Sequence, residues 1–272
     1  MACKKIYTIA RIHSEIFEQP KLLPPNTVLD IEFDRNDPQF LLLTKHHDRA
    51  YQISMDNCEL LTRIVEMDEE ITAEINSVSI AGRSMLYPVR RVKMLYYSRA
   101  ANVVDLNNFN LLTTEGNLLP RRIFVAMLRE EAMHGNYGRD PFNYQHFNLE
   151  EFCLKVGSSE VPLPILKCNF NENDNDILRP LFSVLMANHT LFSNEELGIK
   201  PSNFKQRNVI LGWDLSQSPP GQSFEMTQEM PLSLYLKLRA GHGFVINVIV
   251  YCEYNSEIEI LNNRKVICHE YA

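Results

Sequence analysis

The residues best equipped for chemistry lie in one stretch, HGNYGRDPFNYQHFNL (134–149), with two histidines, an arginine, an aspartate and three asparagines in sixteen positions. His134 and His146, with Asp140 between them, offer donor types that metals use. Zinc sites bring paired ligands at short spacing, and that pairing is missing here. KHHDR (45–49) sets His46, His47 and Asp48 side by side. Neighbouring side chains on a strand point to opposite faces, so a solvated turn is the better reading. Cys268 and His269 would act as nucleophile and base only if they converged, and adjacent strand residues diverge. Gly135–Gly138 and Gly241–Gly243 lack the strand–loop–helix context of a phosphate loop, and no G-x-S-x-G elbow is present. The acidic pairs Glu130–Glu131, Asp174–Asp176 and Glu195–Glu196 read as solvated loops or helix starts. Arg90–Arg91 and Arg121–Arg122 read as rim salt bridges, with acidic partners or packaged nucleic acid as the alternative. No catalytic, cofactor or metal site is expected, and no enzyme activity.

Composition narrows the classes further. The chain has 272 residues, 45% apolar and 22% charged, with a net charge of −7. That is globular, and the acidic balance argues against a specific nucleic-acid ligand. No apolar run approaches the roughly 20 residues of a membrane helix. The start, MACKKIYTIARIH, lacks the apolar core of a signal peptide, so an intracellular, non-secreted chain is expected. The six cysteines form no C-x-x-C pair and read as reduced, mostly buried thiols. The sequon at Asn188–Thr190 is then expected to go unused.

Most of the elements that must position these residues have a two-residue period. VLDIEF (28–33) and FLLLTK (40–45) flank DRNDPQ and predict a hairpin. PLSLYLKLRAG turns Leu232, Leu234, Leu236 and Leu238 to one face and Ser233, Tyr235, Lys237 and Arg239 to the other. After a break at GHG, FVINVIVYCEY is apolar on both faces and predicts a central strand. SEIEIL, NNR and KVICHEY predict a closing hairpin. RRIFVAML (121–128), EFCLKV (151–156) and VILGWDL (209–215) add strands, and GSSE (157–160) is a tight turn before VPLPIL. Two helices stand out. DNDILRPLFSVLMANHT has Asp176 to cap it and Pro180 in or just beyond the first turn. MDEEITAEINSVSI (67–80) has acids at its start, where the helix dipole favours them. Many short strands with one or two short inserted helices predict an all-β sandwich or a barrel. A boundary is expected near AGRSMLYPVRR (81–91).

Several landmarks follow one another in a recognisable order. YPVRRVKM leads to NLLPRRIFVAML, then AMHGNYGRDPFNYQHFNLEEFCLKVGSSEVP, then LGWDLSQSPPGQSF, then PLSLYLKLRAGHGFVINVIVYCEYNSEIEILNNRKV. Over residues 83–270 this resembles the double jelly-roll major capsid protein of Polinton (Maverick) elements and the related adintoviruses. Residues 4–80 resemble the last strands of that family's first roll more loosely. The resemblance implies a double jelly roll whose first roll is incomplete, with residues 1–82 as the partial first roll, made of its C-terminal strands plus a short helix, and residues 83–272 as the second. It implies a homotrimer that tiles a shell, a penton-type minor capsid protein as a further partner, a virion location and no catalysis. The first roll looks truncated at its N-terminus, which makes a repurposed capsid-derived fragment one alternative. A jelly-roll module binding carbohydrate or another ligand is a second. A hydrolase using Cys268 or His134 is a third.

As a connection, the opening stretch has its own logic. Gly135 and Gly138 permit positive φ, Asp140 before Pro141 favours a turn, and Asn136, Asn143 and Asn148 can bond back to the main chain. One of Phe142, Tyr144 and Phe147 should anchor the loop. The structural or interface candidates are Arg121, Arg122, Gly135, Tyr137, Pro141, Phe142, Asn143, Trp213 and Asp214. His134→Ala and His146→Ala are expected to leave assembly intact, and Phe142→Ala to damage folding.

Overall fold

The computed structural model describes residues 5–25, 27–46, 50–80, 83–111, 119–170, 176–191, 193, 197–216, 230–261 and 265–269. In chain order the elements are α1 (Glu15–Glu18), α2 (Pro38–Leu41), α3 (Glu69–Ile80), β1 (Met85–Arg99), β2 (Asp105–Asn110), β3 (Arg122–Arg129) and α4 (Glu130–Met133). Then come β4 (Leu149–Val156), β5 (Ser159–Lys167), α5 (Leu178–Ala187), α6 (Pro201–Gln206), β6 (Ile210–Asp214), β7 (Leu232–Leu238), β8 (Ile246–Ile260) and β9 (Val266–His269).

Two sheets form. One runs β1-β8-β3-β6, with β9 also paired to β8, and the other runs β2-β7-β4-β5. Along the chain, the strands of β1 to β8 cross repeatedly between the sheets in the order of a jelly roll, with no strand of that motif missing. The expected sandwich is therefore present, with eight jelly-roll strands between Met85 and Ile260. Pro88 lies in β1 and Pro162 and Pro164 lie in β5, both at sheet edges, where a missing N–H breaks no ladder.

Internal contacts group the chain into two units, Met1–Asp30 with Ile64–Arg91 and Asn255–Tyr271, and Ile31–Arg63 with Val92–Tyr254 and Ala272. In the first, Tyr87 and Val89 are buried, and the Tyr87 hydroxyl donates to the Leu22 carbonyl at 3.1 Å. The closing hairpin sits there too, with Glu257 opposite His269 and Ile260 opposite Val266. NNR itself lies outside the described residues.

The second unit holds the sandwich core. Leu232, Leu234, Leu236 and Leu238 are 3, 1, 0 and 0% exposed, as the alternation predicts. They meet Ile123, Val125 and Met127 of β3, Leu211 and Trp213 of β6, and Val248, Val250 and Cys252 of β8. Each such leucine is worth about 1.5–3 kcal/mol of burial. The opposite face of β7 is polar. Lys237 lies 3.2 Å from Glu150 and 3.7 Å from Glu151, and Lys155 lies 3.9 Å from Glu160. GSSE is the tight turn expected, since Val156 pairs directly with Ser159.

Several expectations need correction. The 28–45 hairpin does not form: among the described residues of 5–80 there is no strand, and Pro38–Leu41 is a helical turn. Val28, Phe33 and Leu43 are 83, 58 and 61% exposed. Alternation without a partner strand to pair with does not hold a strand, and a proline at the first helical position favours a turn of helix. The residue next to α5 is Ile177, which has no side-chain cap bond, and the helix is held by burial of Leu181, Val184 and Ala187. FVINVIVYCEY and SEIEIL are one continuous strand, β8. The two expected helices are α3 and α5, and the four shorter helices are too brief to show a period.

Candidate functional site

The 134–149 loop leaves α4 and enters β4, and its polar side chains bind its own backbone. Asn136 Oδ1 accepts from the Gly138 amide at 2.8 Å, and Asp140 Oδ1 accepts from the Phe142 amide at 2.9 Å. The Gln145 amide donates to the Met127 carbonyl at 3.1 Å and the Val209 amide to the Tyr144 carbonyl at 3.2 Å, which stitches the loop to β3 and to the approach of β6. Pro141 is buried. Asn143 Oδ1 is buried and finds no donor among the described residues.

A second segment docks on this loop. Gly135 has φ +91°, and a Cβ there would stand 3.0 Å from the Phe40 amide nitrogen and 3.2 Å from the Gln39 carbonyl carbon. Glycine is required at this position both for its conformation and for the approach of α2. Phe40 meets Phe142 edge-on at 5.8 Å, and Tyr51 meets Tyr137 at 5.3 Å. The Thr44 amide donates to the Tyr137 carbonyl at 2.8 Å. Gln39, Glu131, Asn136, Tyr137 and Arg139 line an open cleft of about 540 Å³ here. Nothing in the period-2 reading of residues 28–45 signalled this contact. Its one sequence trace is the glycine at 135.

Of the three aromatics expected to supply an anchor, Phe147 is the one that does. Phe142 is 61% exposed, while Phe147 is 5% exposed and joins the core. His134 is exposed and lies 4.0 Å from Glu130. His146 stacks on Phe170 at 4.4 Å and 8°, and its Nδ1 accepts from the Asn148 amide at 2.9 Å. Burial, reinforced by His242, pushes its pKa down. His146→Ala is thus expected to disturb the loop, and Phe142→Ala to be mild.

The arginines differ from their expected place at the rim. Arg122 is 6% exposed. It grips Glu253 of β8 through Nε at 3.1 Å and Nη2 at 2.7 Å to each carboxylate oxygen, and Nη1 reaches the Ala187 carbonyl at 3.4 Å. The pair is directly cross-strand and lies beneath the end of α5, which is why it is dry. Arg121 is half-buried, and its backbone bonds Glu253 and Leu215. On β6, Asp214 stands opposite Arg122, 3.5 Å from His189, and accepts from the Ser216 amide at 2.9 Å. Trp213 is 4% exposed, packs edge-on against Phe152 at 5.7 Å and donates to the Val161 carbonyl at 3.0 Å. Gly212 lets α5 approach. A Cβ there would lie 3.0 Å from Ala187 Cβ and from Val184 Cα.

The remaining chemical candidates resolve into structure. His47 and Asp48 lie outside the described residues, as do Cys3, Asp174 and Glu195–Glu196; among the described residues no cluster of metal donors forms. His269 Nε2 is 2.6 Å from Glu259 Oε2. Bonds from Ser84 and then from His269 hold the Glu259 carboxyl below its usual range. The carboxylate thus bridges the Ser84 hydroxyl and the His269 imidazole. Cys153, Cys168 and Cys252 are buried, and burial pushes the last two up to about 12, while Cys58 and Cys268 are exposed. Among the described residues no helix is long and apolar enough to cross a membrane.

No family model matches the chain. An uncharacterised protein of Caenorhabditis elegans is 19% identical over 234 residues, 85% of this chain and 55% of that protein, so the chain spans about half the length of this curated relative. Among solved structures the chain is similar to one from the cryo-EM structure of the Sputnik virophage (TM-score 0.46, 8% identity, 68% of this chain and 38% of that one). It is also similar to a chain of the PBCV-1 virus capsid (0.41, 8%, 76% and 55%). A third is the mavirus major capsid protein (0.36, 10%, 70% and 42%). By its own strand order the chain is a jelly roll, and these solved chains come from virus particles and their capsids.

Proposed function

We propose that the chain is a structural subunit of a virus-type capsid, related to the double jelly-roll lineage of Polinton (Maverick) elements and adintoviruses. Residues 83–272 are its second roll and residues 1–82 belong to a partial first roll. Its partners are copies of itself, arranged as a homotrimer and then a shell, and a penton-type minor capsid protein. Its place is the virion, and it carries out no catalysis.

One observation carries this reading. Leu178, Phe182 and Met186 recur every fourth residue on α5 and are 42, 47 and 57% exposed, while Leu181, Val184 and Ala187 of the same helix are buried. A surface helix normally has one apolar stripe. A second, outward stripe on a rigid sandwich marks a protein contact. The carbohydrate-binding alternative loses its only tryptophan as a sugar platform, because Trp213 is inside the core.

Light scattering over a range of concentrations, with electron microscopy of the product, tests the reading. Trimers and larger assemblies are expected, and Phe182→Glu with Met186→Glu should reduce them to monomers with an unchanged circular dichroism spectrum. A folded wild-type chain that stays monomeric at high concentration refutes it.

A further inference from the structure

The corner at residues 146–148 is closed by an imidazole that serves only while neutral. The Asn148 amide donates to His146 Nδ1 at 2.9 Å, so Nδ1 is the acceptor and holds no proton. The residues it closes over are both left-handed, Phe147 at φ 44° and Asn148 at φ 54°. Residues other than glycine keep that conformation when their surroundings enforce it. Here the imidazole is stacked on Phe170. The Phe147 carbonyl lies 2.9 Å from His242 Nε2, and the Phe147 ring meets those of His242 and Phe244 at 5.6 and 5.7 Å.

Burial, and after it His242 between β7 and β8, disfavours a proton on His146. Arg129 of β3 lies 3.8 Å over the Phe244 ring, which packs on His242. Cys168, two residues before Phe170, is a buried thiol held neutral. Protonation at Nδ1 would remove the acceptor and place a cation in a buried corner that disfavours it.

We propose that residues 146–148 form an acid-operated latch on the 134–149 loop. A proton from solvent on His146 Nδ1 displaces the Asn148 amide, frees the Phe147–Asn148 corner, and releases the loop together with the Phe40 and Thr44 segment docked on it. The sign follows from burial. The imidazole is held below its ordinary value of about 6.5, so the latch is fully closed above that value and weakens as pH falls through it. Within the window between the ordinary and the lowered value, each pH unit raises the open-to-closed ratio by up to about tenfold.

Hydrogen exchange of residues 134–149 and 37–46 at pH ~7.5 and ~5.5, corrected for intrinsic rates, reads the latch. Faster exchange in both segments at the lower pH is expected. His146→Asn sets an amide oxygen near the Nδ1 position, an acceptor that does not titrate, and should stay closed at both values. Equal protection of the wild type at both pH values overturns the proposal, as does a His146→Asn variant that opens like the wild type. If that variant does not fold, nuclear magnetic resonance of the wild type decides. The Asn148 amide must titrate with the His146 ring, and an amide that ignores it overturns the proposal.

Discussion

Removing Glu253 should be among the most damaging single changes to the sandwich, and removing its partner as well should undo much of the damage. Arg122 and Glu253 side chains are 8 and 6% exposed, and three bonds of 2.7–3.1 Å join them. In Glu253→Leu the guanidinium stays in place, dry, and among the described residues only the Ala187 carbonyl, at 3.4 Å, is left to meet it. An uncompensated buried charge of this kind costs about 3–5 kcal/mol. At roughly 2–4 °C per kcal/mol for a chain of this size, the melting temperature should fall by about 6–20 °C. The double variant Arg122→Met with Glu253→Leu replaces a costly pair with apolar packing and should recover most of the loss. Urea unfolding followed by circular dichroism, with scanning calorimetry, measures both. A single variant that loses less than about 1 kcal/mol would mean the pair behaves like a surface salt bridge. A double variant no better than the single would mean the damage is to packing. Either result refutes the reasoning.

Other expectations follow from the loop and the closing hairpin. Phe147→Ala should cost about 3–5 kcal/mol in denaturant unfolding and Phe142→Ala within about 0.5 kcal/mol, since only the first is buried. Gly135→Ala should destabilise by about 1–3 kcal/mol, from positive φ and the 3.0 Å approach of Phe40, and limited proteolysis should then cut residues 37–46 first. The Glu259 carboxyl is held low by Ser84 and His269. Its contribution to the β8–β9 hairpin is therefore complete above the ordinary carboxylate range and lost as pH falls through the lowered value. Hydrogen exchange of residues 257–269 should rise on acidification in the wild type, and Glu259→Gln should flatten that response.

The second half of the chain was legible because its strands alternate against a core. Leu232 to Leu238 and Ile123 to Met127 state their inward face in sequence, and the structure buries those residues. The first half misled for the same reason. Leu29, Ile31 and Phe33 alternate too, yet pattern reports which residues seek burial and not whether a neighbouring strand exists. The loop was legible in its turns, at Asn136 and Asp140, because those bonds are local. The Arg122–Glu253 grip joins residues 131 positions apart, and only the sheet register, Arg122 opposite Glu253, reveals it.

The placement of three prolines limits how copies could join. In each sheet one outer strand carries proline, β1 at Pro88 and β5 at Pro162 and Pro164. A ladder of hydrogen bonds running from molecule to molecule needs two usable edges per subunit. At those prolines no such ladder can form, so contacts between copies there fall to side chains on faces and loops, where contacts are weak enough to be corrected as an array forms.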